Sequence, residues 1–232
     1  MLQDNYLFFP DNFPFENCNE FPENTQFINY QGERFIYKNN SDSLVIFYHG
    51  NAASGCAWGF LGDIFDDKNT SFLVSVYPGF SGDSRNPSIS SIKEYVDVIN
   101  EFTRDYNSIK LISYSIGSGA LAYHASLRDI DGVFVISGFS SVSDVAQNIY
   151  PLYPVKLLLR DDFDNSAMMN KFNGNYFQVH GKNDRIVPIK FAEKLFETIR
   201  SENKRFLEID QDHNTMFSTN EIFIELNNFL DK

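Results

Sequence analysis

The chain has 232 residues, 43% of them hydrophobic, 16% aromatic and 22% charged. Those proportions exclude a disordered, collagen-like or coiled-coil protein and leave one large packed domain, or two small ones sharing a core. Lys and Arg total 19 against 31 Asp and Glu, a net charge of -12. With no basic tract anywhere, nucleic acid and anionic membrane surfaces are disfavoured as partners. The two cysteines, Cys18 and Cys56, are too few for a disulfide framework or a four-cysteine metal site, and read as unpaired thiols of a reducing compartment. No run of about 18 apolar residues is present, so no integral membrane segment is expected. Met1 to Pro14 lacks the basic and apolar regions of a signal peptide, which makes cytoplasmic residence the expectation.

In chain order, Leu7 to Glu23 mixes aromatics with Pro10, Pro14 and Pro22 and reads as an irregular segment pinned by its Phe side chains. Phe27–Tyr30 and Arg34–Tyr37 flank Gln31-Gly32, an opening hairpin. Short apolar runs follow at Leu44–Tyr48, Phe72–Tyr77, Ile109–Tyr114, Val133–Ser137, Tyr176–His180 and Arg205–Ile209. Most are apolar at nearly every position, as strands buried on both faces must be. Helical spacing recurs between them, at Ile92, Tyr95, Val96, Ile99 and Phe102, and again at Ile189, Ala192, Leu195, Phe196 and Ile199. Ser218 with Glu221 forms a capping box for a last helix whose apolar stripe is Ile222, Leu226, Phe229 and Leu230, with Phe217 stapled to Ile222. This alternation predicts an α/β fold, a mostly parallel sheet with helices on both faces. Chemistry in such a sheet gathers at the carboxyl ends of the strands.

The residues just beyond those ends are therefore the informative ones. Ser115 follows the third apolar run, with small Ser113 and Gly117 on either side, at a sharp strand-to-helix turn where a nucleophile can stand above the sheet. Gly119 and Ala120 would let the following helix lie close to the strands. Of the four histidines, His124 falls within that helix as a structural or solvent-facing residue, and His49 and His180 precede glycines where the imidazole bonds loop backbone. His213, in a polar loop after the final strand, is the best general base. Such a base needs an acceptor for its Nδ1 proton. Asp184 is placed to provide it, with Asp144 as the fallback and Asp212 directed elsewhere. Backbone N–H groups of Ile116 and Asn51 would stabilise an oxyanion, with Gly50 letting the backbone turn inwards.

These segments, His49-Gly50-Asn51-Ala52, Tyr77-Pro78-Gly79-Phe80-Ser81-Gly82-Asp83-Ser84, Ser113-Tyr114-Ser115-Ile116-Gly117, His180-Gly181-Lys182-Asn183-Asp184-Arg185-Ile186-Val187-Pro188 and Asp212-His213-Asn214, resemble the α/β-hydrolase superfamily. The resemblance is to serine hydrolases of the BEM46-like and serine-aminopeptidase-like (monoacylglycerol-lipase-like) families, over about residues 9–230. It implies a single α/β-hydrolase domain over 1–232, with Ser115 as nucleophile, Asp184 as acid, His213 as base, and Asn51 and Ile116 as the oxyanion hole. Ser113 stands where the family usually has Gly. BEM46-type relatives often carry an N-terminal membrane anchor, which is not carried over to this chain. Residues 138–175 occupy the position of a small lid, read either as two short helices covering the sheet or as a cap that touches substrate. The implied activity is hydrolysis of a carboxylic ester or thioester of a small or acyl-chain substrate, with no metal or organic cofactor. A peptidase of short peptides and a non-catalytic hydrolase-like binding protein are the alternatives.

Overall fold

A computed structural model describes residues 2–18 and 20–232; Met1 and Asn19, both in stretches read above from sequence, lie outside the described residues. In chain order the elements are α1 (Leu2–Leu7), β1 (Gln26–Tyr30), β2 (Glu33–Lys38), β3 (Ser43–Tyr48), α2 (Gly59–Asp67), β4 (Ser71–Val76), α3 (Ile89–Phe102) and β5 (Ser108–Tyr114). They continue with α4 (Gly117–Leu127), β6 (Gly132–Ile136), α5 (Val142–Ile149), α6 (Val155–Leu158), α7 (Asn165–Met169), β7 (Asn175–Gly181), α8 (Ile189–Thr198), β8 (Lys204–Ile209) and α9 (Asn220–Leu230). The strands form an eight-stranded, mostly parallel sheet in the order β1-β2-β4-β3-β5-β6-β7-β8, with helices on both faces.

Contacts divide the chain into two compact units, residues 1–111 and 112–232. In the first, β1 and β2 pair antiparallel across Gln31 and Gly32, both at positive φ (52° and 83°). That is the mirror-image turn whose twist matches a hairpin. β2 pairs antiparallel with β4, and β4 parallel with β3. All six residues of β4 are buried, which explains why its sequence shows no alternation. The Tyr95 hydroxyl of α3 donates to the carbonyl of Arg34 and accepts the N–H of Val76, locking this helix to two strands.

In the second unit β6, β7 and β8 pair parallel. Val133, Phe134, Ile136 and Val179 are fully buried. Ile222, Leu226 and Phe229 of α9 are buried as their spacing predicts. The cap of α9 differs from the sequence reading: Thr219, not Ser218, accepts the N–H of Glu221, because Ser218 closes a 3₁₀ turn that starts at His213. Phe217 packs on Phe223 and Tyr114. The segment 138–175 holds three short helices, α5 to α7, rather than two. Phe163 and Met169 anchor it, while Leu152 and Leu157 are 94% and 85% exposed.

The cysteines correct the sequence reading outright. Cys18 and Cys56 form a disulfide with Cα atoms 5.1 Å apart, so neither is a free thiol. Their separation of 38 positions hid the pairing, which folding creates by laying the arm around the 3₁₀ turn Phe15–Asn17 beside the turn Gly55–Trp58. Within that arm Phe8 and Phe15 are buried, whereas Phe9 and Phe13 are exposed. No helix among the described residues is long and apolar enough to cross a membrane.

Candidate active site

Ser115 sits between the end of β5 and Ile116, the residue that caps α4. Its φ is +54°, a left-handed conformation that disfavours a residue with a Cβ. The turn is held by the N–H of Ser115 donating to the Ile136 carbonyl (2.9 Å) and by that of Ser118 donating to the Ser115 carbonyl (3.0 Å). Such strain persists only where the surroundings over-determine it. Ser113, two residues earlier on β5, is fully buried. The close approach at Gly119 is to the ring of Phe163, 2.3 Å from where a Cβ would stand. Gly119 thus admits the segment leading into α7, where the sequence reading expected close packing on the strands.

His213 begins the 3₁₀ turn after β8, capped by Asp212, whose carboxylate accepts the N–H groups of Asn214 and Thr215. That role occupies Asp212 away from the imidazole. His213 Nε2 lies 2.9 Å from Ser115 Oγ, and its Nδ1 lies 2.7 Å from Asp184 Oδ2. Since a carboxylate only accepts, Nδ1 carries the proton and Nε2 is left as the acceptor for the serine hydroxyl. All three side chains are buried or nearly so, at 8% (Ser115), 6% (Asp184) and 6% (His213) exposure.

Asp184 lies beyond β7 in a loop that its own carboxylate organises. Oδ1 accepts the N–H groups of Ile186 (2.9 Å) and Val187 (2.7 Å). Burial acts to raise its pKa, but hydrogen bonds from His180 and His213, the charge of His213 and the Val187 N–H hold it well below the usual carboxylate range. It stays ionised. His180 Nε2 donates to the Val187 carbonyl (2.8 Å), the backbone bond expected of it, and also lies 3.3 Å from Asp184 Oδ2. The second contact was missed from sequence, although both residues stand at the end of β7 four positions apart. Asp144 is elsewhere: in the first turn of α5 it accepts from Ser140 and Lys194, and its pKa falls to about 2 because these bonds outweigh burial. His124 is buried, which drives its pKa to about 3.

In the first unit, His49 Nδ1 donates to the Gly50 carbonyl (2.7 Å), and burial lowers its pKa to about 4. The left-handed residue of this loop is Ala52 (φ +56°), not Gly50. The Asn51 side chain is committed to the N-terminal arm: its amide donates to the Leu7 carbonyl and its oxygen accepts the N–H groups of Phe9 and Ala52. Only its backbone N–H entered the sequence reading.

No family model matches the sequence. The uncharacterized membrane protein YNL320W of Saccharomyces cerevisiae is 30% identical over 184 residues, covering 75% of this chain and 65% of that protein, so the chain spans slightly less than two thirds of that relative's length. An esterase of Pyrococcus furiosus superposes with a TM-score of 0.68 at 15% identity, covering 97% of this chain and 95% of that one. The chain has the α/β-hydrolase fold. A monoacylglycerol lipase of Paleococcus ferrophilus carries the same hydrolase fold, with a TM-score of 0.59 at 20% identity over 79% of this chain and 93% of that one. In the hydrolase fold found here, the turn after β5 and the loops after β7 and β8 deliver Ser115, Asp184 and His213 to one place.

Proposed function

We propose that this chain is a serine hydrolase that cleaves a carboxylic ester or thioester of a small or acyl-chain substrate, working as a single domain over 1–232. The observation that carries this reading is the relay Ser115 Oγ, His213 Nε2, His213 Nδ1, Asp184 Oδ2, with steps of 2.9 and 2.7 Å at its two hydrogen bonds. A hydroxyl so placed loses its proton to Nε2 as Oγ attacks the acyl carbon, and the imidazolium so formed is matched by the Asp184 carboxylate. The oxyanion accepts the backbone N–H of Ile116 at the head of α4, the donor assigned to it from the sequence within the same unit as Ser115, and oxyanion-hole donors of this kind are worth several kcal/mol. Collapse breaks the bond to the alcohol or thiol, which leaves with the proton held on Nε2. Water, deprotonated by the same nitrogen, then releases the acid and restores Ser115. The scheme uses no metal or organic cofactor.

The test is turnover of p-nitrophenyl acetate, longer acyl esters, an acyl thioester and aminoacyl amides, each with wild-type protein and Ser115→Ala. Esters or thioesters turned over by the wild type alone support the reading; faster amides would favour a peptidase. No turnover with any acyl group, and no labelling by a fluorophosphonate, would favour a binding protein. The Cys18–Cys56 disulfide argues against the reducing compartment expected from the sequence.

A further inference from the structure

The proposed general base is held from a direction the hydrolase scheme does not use. Tyr114, the residue before Ser115, stacks its ring on the His213 imidazole, centroids 5.4 Å apart and planes at 28°. Its hydroxyl donates to the backbone carbonyl of His213 at 2.5 Å. Phe217, at the far end of the same 3₁₀ turn, closes edge-on against the Tyr114 ring. Burial pushes the phenol far above its usual range, so the hydroxyl remains a donor.

We propose that Tyr114 is a positioning residue that fixes the His213 loop in register with the nucleophile. This role rests on the hydrolase reading. The loop from Asp210 to Ser218 is irregular until its 3₁₀ turn, and such a segment sets a side chain less firmly than a strand or helix does. Tyr114 ends β5, and its neighbour carries the hydroxyl that His213 must reach. A clamp on both the carbonyl and the ring of His213 therefore ties base to nucleophile through a single peptide bond. Asp184 fixes the imidazole from Nδ1, and Tyr114 fixes its plane and its backbone.

Tyr114→Phe keeps the stack and loses the hydroxyl; Tyr114→Ala loses both. With p-nitrophenyl acetate, and rates normalised to sites titrated by a fluorophosphonate, the Phe variant is expected to lose kcat about 3- to 10-fold, the value of one hydrogen bond. The Ala variant is expected to lose about 100-fold, as for a misplacement of roughly 1 Å. KM should hold in both. A merely structural residue would instead lower the number of titrated sites and leave kcat per site intact, which would overturn the proposal. A second readout needs no turnover: the His213 Nδ1 proton shared with Asp184, identified as the downfield proton resonance that His213→Gln removes. It should broaden or vanish in folded Tyr114→Ala, and an unchanged resonance there overturns the proposal. Should the Ala variant not fold, Tyr114→Phe carries the kinetic test. If wild-type protein neither turns over an ester nor takes up the phosphonate, the hydrolase reading fails, and the resonance alone decides the role of Tyr114.

Discussion

Replacing Asp184 by asparagine probes the relay at its least visible member. The amide introduced there can sit two ways. With its oxygen at the Oδ1 position it still accepts the N–H groups of Ile186 and Val187, now 2.9 and 2.7 Å from that atom. Turned over, it would oppose two donors with two donors, so the first arrangement wins. That choice puts the NH₂ group at the Oδ2 position, facing His213 Nδ1 at 2.7 Å and His180 Nε2 at 3.3 Å. His213 must then accept at Nδ1 and carry its proton on Nε2, where it points at Ser115 Oγ and cannot take a second one. The loss expected for a wrong tautomer is about 10⁴-fold in kcat, roughly 5 kcal/mol of barrier. KM should change little, since Asp184 is separated from the attacking oxygen by the whole imidazole. The assay is steady-state hydrolysis of p-nitrophenyl acetate, with circular dichroism to show that the variant is folded. A folded Asp184→Asn protein that keeps more than about a tenth of wild-type kcat would refute the tautomer argument.

Further outcomes follow from the same structure. His124 is neutral when folded, with a pKa near 3, and near 6.5 when unfolded. The unfolded chain therefore binds the extra proton, and stability that is complete above about pH 6.5 falls as pH drops towards 3. At pH 4.5 this costs about 3 kcal/mol, so urea titrations of His124→Leu should lose less stability between pH 7 and 4.5 than wild-type protein does. Reduction of Cys18–Cys56 reopens a loop spanning 38 positions and should lower stability by about 4 kcal/mol. Thiol alkylation before and after reduction, read by mass, should show both cysteines protected until reduced; alkylation of the untreated protein would contradict the bond.

Much of this was legible because the central strands are buried on both faces. The six apolar runs match β3 to β8 to within one residue at each end; β3, β4, β6 and β7 are buried at nearly every position, whereas β8 at the sheet edge leaves Arg205 and Glu208 exposed. Ser115, Asp184 and His213 could be named because each lies just past such an end. The segments misread are those where local pattern is weak or tertiary contact decides. Polar Leu2–Leu7 gave no helical stripe. Thr219 and Ser218 are equal as caps until the 3₁₀ turn claims one of them. Prolines 151 and 154 blur the three lid helices. Cys18 and Cys56 meet only because the arm folds back. Tyr114 reads as one more strand residue, and its partner His213 is 99 positions away.

The most direct measurement is the site of covalent capture. Treatment with a fluorophosphonate, proteolysis and mass mapping should place a single adduct on Ser115, lost in Ser115→Ala and slowed severely in His213→Gln. An adduct on another residue, or labelling that survives Ser115→Ala, would contradict the assignment of Ser115 as the nucleophile.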